Sequence, residues 1–302
     1  MKRKSIKFAG MTIREANSRL LFQLYHLYDN REAANIADLV MENITGWKRI
    51  DRVVNSKVKL SAPQEALLDE YTAKLLTHMP VQYVLHEAWF LGMKWYVDEN
   101  VLIPRPETEE LVQWIVDVLG NQQTAPFTIL DIGTGSGCIP VALKKKLPAA
   151  DVYACDVSAG ALGVAKKNAS ALGADVHFVE ADILSGTDWR LLPQCDVIVS
   201  NPPYIPLKEK SQMAANVVAH EPALALFVSN DDPLIFYRAI AKFGKEKLNS
   251  NGNIFAEVHE DLAQQAAEVF KDYSSIEVKR DMQGKERMIR GVGSGKWEVG
   301  SG

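Results

Sequence analysis

The sequence predicts an α/β protein: a mostly parallel sheet with helices on both faces, preceded by a small helical bundle and a β-hairpin linker. Three observations carry this. Between residues 127 and 271, short apolar β-branched runs alternate with helical stretches, as βαβ units require. The first eighty residues have helical spacing instead. At 302 residues the chain is also long for one compact domain and suits a main domain with a smaller one.

The helical bundle starts at Thr12, which forms a capping box with Glu15 and leads into Leu20, Leu21, Leu24 and Leu27. A second helix runs from Asn30 to about Ile44 and stops at Gly46. Ser61, Pro63 and Gln64 start a third, carrying Ala66, Leu67, Tyr71, Leu75 and Leu76. From Val81 to Leu102 the residues become aromatic and β-branched, which reads as the hairpin linker. Pro104, Arg105 and Pro106 then open a helix with Glu107, Glu109 and Glu110 in its first turn, where carboxylates suit the helix dipole, and Gly120 closes it.

Strands are expected at Phe127–Asp131, Asp151–Asp156, Asp175–Glu180, Asp196–Ser200 and Asn253–Val258. Helices are expected at Ile139–Leu147, Ala159–Leu172, Pro233–Leu248 and Asp261–Lys271. Two last strands, near Ile276–Arg280 and Arg287–Arg290, are separated by a turn that permits an antiparallel pair but not a helical crossover. The final residues, GVGSGKWEVGSG, read as a flexible tail.

Composition narrows the function. Hydrophobic residues are 47% and charged residues 24%, an ordinary globular balance. The formal net charge of −4 argues against bulk attraction to nucleic acid. Lys144–Lys146 and the basic start (Lys2, Arg3, Lys4, Lys7) read as solvated surface. Cys138, Cys155 and Cys195 lie in or beside apolar runs without metal-like spacing, so neither a disulfide framework nor a metal site is expected. No apolar run approaches a membrane span, and the first thirty residues lack a signal-peptide core. The expected compartment is a reducing cytoplasm.

The strongest motif is LDIGTGSG, Leu130 to Gly137, ending a strand and opening a helix. Gly133, Gly135 and Gly137 let the backbone turn tightly against a ligand, with Thr134 and Ser136 between them. The spacing is GxGxG rather than GxGxxG, and Asp131 precedes it. A carboxylate there repels a pyrophosphate but receives an amino group, which favours S-adenosyl-L-methionine over a dinucleotide. Asp156 ends the next strand, where it would accept both ribose hydroxyls; the alternative is a helix N-cap. Asp182 and Ile183 follow the third strand and would meet the adenine amino group and face.

At the end of the fourth strand stands Asn201-Pro202-Pro203-Tyr204. Two prolines end the strand and stiffen the loop. An Asn side chain and a free proline carbonyl are acceptors for an NH₂ group, and the Tyr204 ring can stack on a planar amide or base. The predicted chemistry is methylation of a planar nitrogen, leaving S-adenosyl-L-homocysteine, with Asn201, Pro202 and Tyr204 catalytic. Asn201 also borders the cofactor, and Asn201 to Tyr204 bind the substrate.

With these residues in order, the chain resembles the release factor glutamine methyltransferases over residues 12 to 291. IPRPETEELV (103–112), LDIGTGSG (130–137), SNPPYI (200–205), EPALAL (221–226) and RDMQGKERMI (280–289) all match. The resemblance implies a class I methyltransferase with a seven-stranded, Rossmann-like sheet. It implies that the target is the side-chain amide nitrogen of the glutamine in the Gly-Gly-Gln motif of peptide-chain release factors, so that translation termination is modulated. It makes Gly133 to Gly137 and Asp156 cofactor residues and Asn201 to Tyr204 the clamp on the glutamine. Glu221 and Pro222 border the substrate or simply hold their loop. One departure is Ile183, where many relatives carry an aromatic residue. The resemblance implies a substrate-recognition domain over 1–80, the hairpin linker over 81–102, the methyltransferase domain over 103–291 and the tail over 292–302. The rival reading is a nucleic-acid adenine N6-methyltransferase, whose target amine suits the same clamp; the acidic charge and small helical bundle count against it.

Overall fold

The computed structural model describes residues 10–120, 126–213 and 215–294. The expectations for Lys2, Arg3, Lys4 and Lys7, and for 295–302 of the tail, lie outside these residues. Two compact units result: residues 1–86 with 215–220, and residues 87–214 with 221–302.

In the first unit, α1 (Ile13–Leu24) begins with the complete Thr12–Glu15 capping box, and α2 (Asn30–Thr45) is capped by the Asp29 carboxylate and closed by left-handed Gly46. A short α3 (Arg49–Val54) follows, then α4 (Ala62–Leu75) with a second capping box from Ser61 and Gln64. Ala16, Leu20, Leu24, Val40, Met41, Leu68 and Leu75 are fully buried, and each such Leu is worth roughly 1.5–3 kcal/mol. The segment from Val81 is not hairpin throughout: α5 (Val81–Leu85) buries Val81 and Val84 in this same core. Five residues show no helical period, so their β-branched texture misleads. The contact boundary accordingly falls after His86 rather than at residue 80.

The second unit opens with the hairpin β1 (Ala88–Phe90) and β2 (Met93–Trp95), turning through Leu91 and Gly92, both at positive φ. Then come α6 (Pro106–Leu119), β3 (Phe127–Ile132), α7 (Cys138–Lys146), β4 (Ala150–Asp156), α8 (Ala159–Leu172), β5 (His177–Glu180) and β6 (Cys195–Ser200). The chain continues through β7 (Ile205–Pro206), α9 (Ala215–His220), α10 (Ala223–Leu226), β8 (Phe227–Val228), α11 (Ile235–Lys247) and β9 (Leu248–Glu257). It finishes with α12 (Ala263–Val269), β10 (Ser275–Arg280) and β11 (Glu286–Val292). α9 belongs to the first unit, where His220 Nε2 meets the Thr77 carbonyl at 2.9 Å.

Among the described residues one sheet has seven strands in the order β10-β11-β9-β6-β3-β4-β5, parallel except for β11, which pairs antiparallel with both β10 and β9. Alternate residues face opposite layers. Ile129, Val152, Val197, Val199 and Phe255 pack with α6 and α7, whereas Leu130, Cys155, Ile198 and Ile254 pack with α11 and α12. With both faces covered, the strands read as continuous apolar runs. All three cysteines are buried and free.

Several boundaries differ from expectation. β9 starts at Leu248, five residues early, because NSNGN is a bulge: the pairing with β6 shifts register, and Asn251 takes φ +62°. Polar, turn-favouring residues hid a strand there. The expected helix 261–271 is a 3₁₀ turn (Glu260–Leu262) followed by the shorter α12. Val292 still pairs with Asn253 and Ser275, so the tail begins after it. Among the described residues, no helix is long and apolar enough to cross a membrane.

Candidate active site

A cleft with about 1110 Å³ of empty space, its open mouth included, lies at the carboxyl ends of β3, β4 and β6. Strand order reverses between β3 and β6, and the crevice at such a switch point is where open α/β sheets bind ligands.

The glycine loop between β3 and α7 forms one wall. Gly133, Gly135 and Gly137 have φ of +73°, +52° and +78°, values that favour glycine. An added Cβ would meet no protein atom within 4 Å at Gly133 or Gly135, so internal packing leaves room there for a ligand. At Gly137 it would press on Ala165 Cβ at 3.0 Å and Cα at 3.1 Å, so that glycine lets α7 pass close to α8.

Asp131 is fully buried, and neither carboxylate oxygen has a hydrogen-bond partner. Burial drives its pKa up to about 7; Thr134 lies near enough to oppose this without reaching hydrogen-bond geometry, and the Asp156 charge adds to the rise. A buried carboxylate with no donor is costly unless a cationic or donor group completes it. An ammonium or amino group fits that requirement.

Asp156 accepts from Gly135 N and Ser158 N, both at 2.9 Å. Ser158, not Asp156, caps α8, its hydroxyl accepting from Ala161 N. Each Asp156 oxygen keeps a further lone pair for a ligand hydroxyl. Burial raises the Asp156 pKa, opposed by the Ser158 and Gly135 amides. Asp182 accepts from Leu184 N at 2.8 Å, and Ile183 is buried at the cleft wall.

Opposite the glycine loop, Asn201, Pro202 and Pro203 line the cleft. Asn201 Nδ2 donates to Thr108 Oγ1 at 3.1 Å, and Thr108 donates to Glu257 Oε2 at 2.7 Å. Tyr204 stands behind the lining: its hydroxyl donates to Glu257 Oε1 at 3.0 Å and its ring meets His259 edge-on. Burial raises the pKa of Glu257, opposed by the Thr108 and Tyr204 hydrogen bonds; burial and then the Glu257 charge hold Tyr204 well above the usual phenol range.

Ten of the predicted residues therefore line one cleft: Gly133, Thr134, Gly135, Ser136, Asp156, Asp182, Ile183 and Asn201 to Pro203. Asp131, Gly137 and Tyr204 lie outside its lining. Glu221 is buried, accepting from Arg105 at 2.6 Å, while Pro222 borders the cleft. Sequence reasoning missed Thr108, Glu257 and Asn168, which joins the glycine loop to the hairpin segment through Ser136 O and Tyr96 O. Glu257 had a signal: it is an acid at a strand's carboxyl end, as Asp156 is. Thr108 lay within the matching segment 103–112 but was not singled out, and Asn168 had no signal.

Two family models match the chain: the PrmC N-terminal domain over residues 26–85 and the methyltransferase small domain over residues 112–227. A release factor glutamine methyltransferase of Flavobacterium psychrophilum is 39% identical, covering 93% of this chain and 99% of its own length. Another, from Bacteroides thetaiotaomicron, is 38% identical over 88% and 95%. The chain belongs to the release factor glutamine methyltransferase family. Its fold is shared with the hMettl16 catalytic domain solved with the MAT2A 3′UTR hairpin 6, at 17% identity and a TM-score of 0.53, covering 82% of this chain and 88% of that one. The family's N-terminal model stops at residue 85, beside the unit boundary at His86. Membership of the release factor glutamine methyltransferase family makes the chain a methyltransferase and does not favour the adenine reading.

Proposed function

We propose that this chain transfers the methyl group of S-adenosyl-L-methionine to the side-chain amide nitrogen (N5) of the Gly-Gly-Gln glutamine in peptide-chain release factors. The observation that carries it is the meeting, in one cleft, of a glycine loop backed by an unpaired buried carboxylate and the Asn201–Pro203 loop.

When bound, the cofactor supplies an electrophilic methyl group on a sulfonium. Asp131 would receive its amino group, Asp156 the ribose hydroxyls, and Asp182 with Ile183 the adenine. The glutamine needs more help than the cofactor, because the amide lone pair is delocalised into the carbonyl. Asn201 Oδ1 and the Pro202 carbonyl would grip the two amide hydrogens, fixing the NH₂ and favouring pyramidalisation. Holding the reacting atoms in line supplies ~7–11 kcal/mol of the barrier. The proton leaves after the nitrogen has become cationic, so no strong base is needed. Tyr204, with its hydroxyl committed to Glu257, stiffens this loop. Residues 1–86 serve as the recognition domain and 87–292 as the hairpin and methyltransferase domain.

Labelled S-adenosylmethionine tests this with a release factor, its Gln→Ala variant and duplex DNA in parallel. Label on the release factor alone, lost in the variant, is expected. Label on DNA would overturn the substrate, and no label on any of them would overturn the function.

A further inference from the structure

We infer that Glu257, acting through Thr108, is a positioning residue that fixes which end of the Asn201 side-chain amide faces the substrate. This rests on the proposed transfer to an amide nitrogen.

Asn201 offers an acceptor at one end of its amide and two donors at the other, nearly identical in shape. Only the acceptor end grips an incoming NH₂; the reverse orientation sets donors against donors. Residues within the loop do not decide this. Thr108, on α6, does. Its hydroxyl has one proton, and the proton is committed to Glu257 Oε2 at 2.7 Å. Thr108 Oγ1 can then only accept from Asn201, and Nδ2 donates to it at 3.1 Å. Oδ1 is left for the substrate.

Rotating the amide by half a turn would set Oδ1 against an oxygen whose proton is already engaged. Glu257 secures this direction because its Oε2 takes the Thr108 proton, leaving that hydroxyl no other to give. Its other oxygen takes the Tyr204 hydroxyl at 3.0 Å, so one side chain at the end of β9 governs both ends of the Asn201–Tyr204 loop. The Tyr237 hydroxyl anchors the Glu257 backbone carbonyl at 3.1 Å. Glu257 and Thr108 are 1% and 3% exposed, so water does not substitute for either partner.

The test uses the full chain labelled with ¹⁵N-asparagine, the Asn201 side-chain signal being assigned by its loss in Asn201→Ala. Its amide protons should exchange slowly in the wild type and quickly in Thr108→Val, with slow exchange restored in Thr108→Ser. With a release factor as substrate, Thr108→Val and Glu257→Gln should lower kcat by about 10²-fold, while the S-adenosylmethionine dissociation constant stays unchanged. That unchanged constant also shows that each variant is folded. Rapid exchange at Asn201 in the wild type, protection that survives Thr108→Val, or cofactor affinity falling in step with kcat would each overturn the assignment. A wild type that methylates no release factor yet shows the expected exchange pattern would sink the proposed function and leave the amide orientation standing.

Discussion

Asp131 has both carboxylate oxygens unpaired, and burial lifts its pKa from 3.8 to about 7. Between those values the folded chain holds a proton that the unfolded chain has released. Stability therefore falls as pH rises through this window and stays low above it. In the cofactor-free protein, Asp131→Asn should be stabilising at pH 8, by up to about 4 kcal/mol. The gain should vanish at about pH 2, below both values, where both states are protonated. The same substitution should weaken S-adenosylmethionine binding at pH 8. Calorimetric melts at the two pH values and a binding titration check this; a lower melting temperature for the variant at pH 8 would refute it. The motif made Asp131 legible in the sequence, but its cost appears only when the sheet surrounds it.

The turn from β3 into α7 separates two uses of glycine. Gly133→Ala meets no neighbour, so its stability cost is the left-handed backbone alone, about 1–2 kcal/mol. Gly137→Ala adds a clash with Ala165 on α8 and should cost about 2–4 kcal/mol. Denaturant unfolding of the two variants without cofactor should show that order, and equal midpoints would show that the α7–α8 approach does not need the glycine. Elements with long periods or caps, such as α1, α2, α4 and α8, were readable from sequence. α3, α5 and the β7–β8 pair were not, since two to six residues are too few to repeat a period. The start of β9 was hidden by its bulge.

Among the described residues, the core of the first unit forms from Leu20, Leu24, Met41 and Leu68, and that of the second from one apolar cluster on each face of the seven-stranded sheet. Multi-domain chains commonly unfold in more than one step. Scanning calorimetry should resolve two transitions. S-adenosylmethionine at a hundred times its dissociation constant should stabilise one of them by about 2.7 kcal/mol. Removing the α2 cap with Asp29→Ala should lower the other by ~1 kcal/mol. If the cofactor and the cap variant move the same transition, the two cores unfold as one.

The sequence by itself determined the α/β class, the glycine loop, the acids at strand ends and the Asn-Pro-Pro-Tyr loop, because each depends on spacing along a few residues. Tertiary structure decided what those residues face. Thr108, Asn201 and Glu257 are separated by 93 and 149 positions in the two hydrogen bonds that join them. No local pattern links such residues: a hydroxyl's single proton constrains a distant amide only once helix, strand and loop have been packed within 3 Å or so of one another.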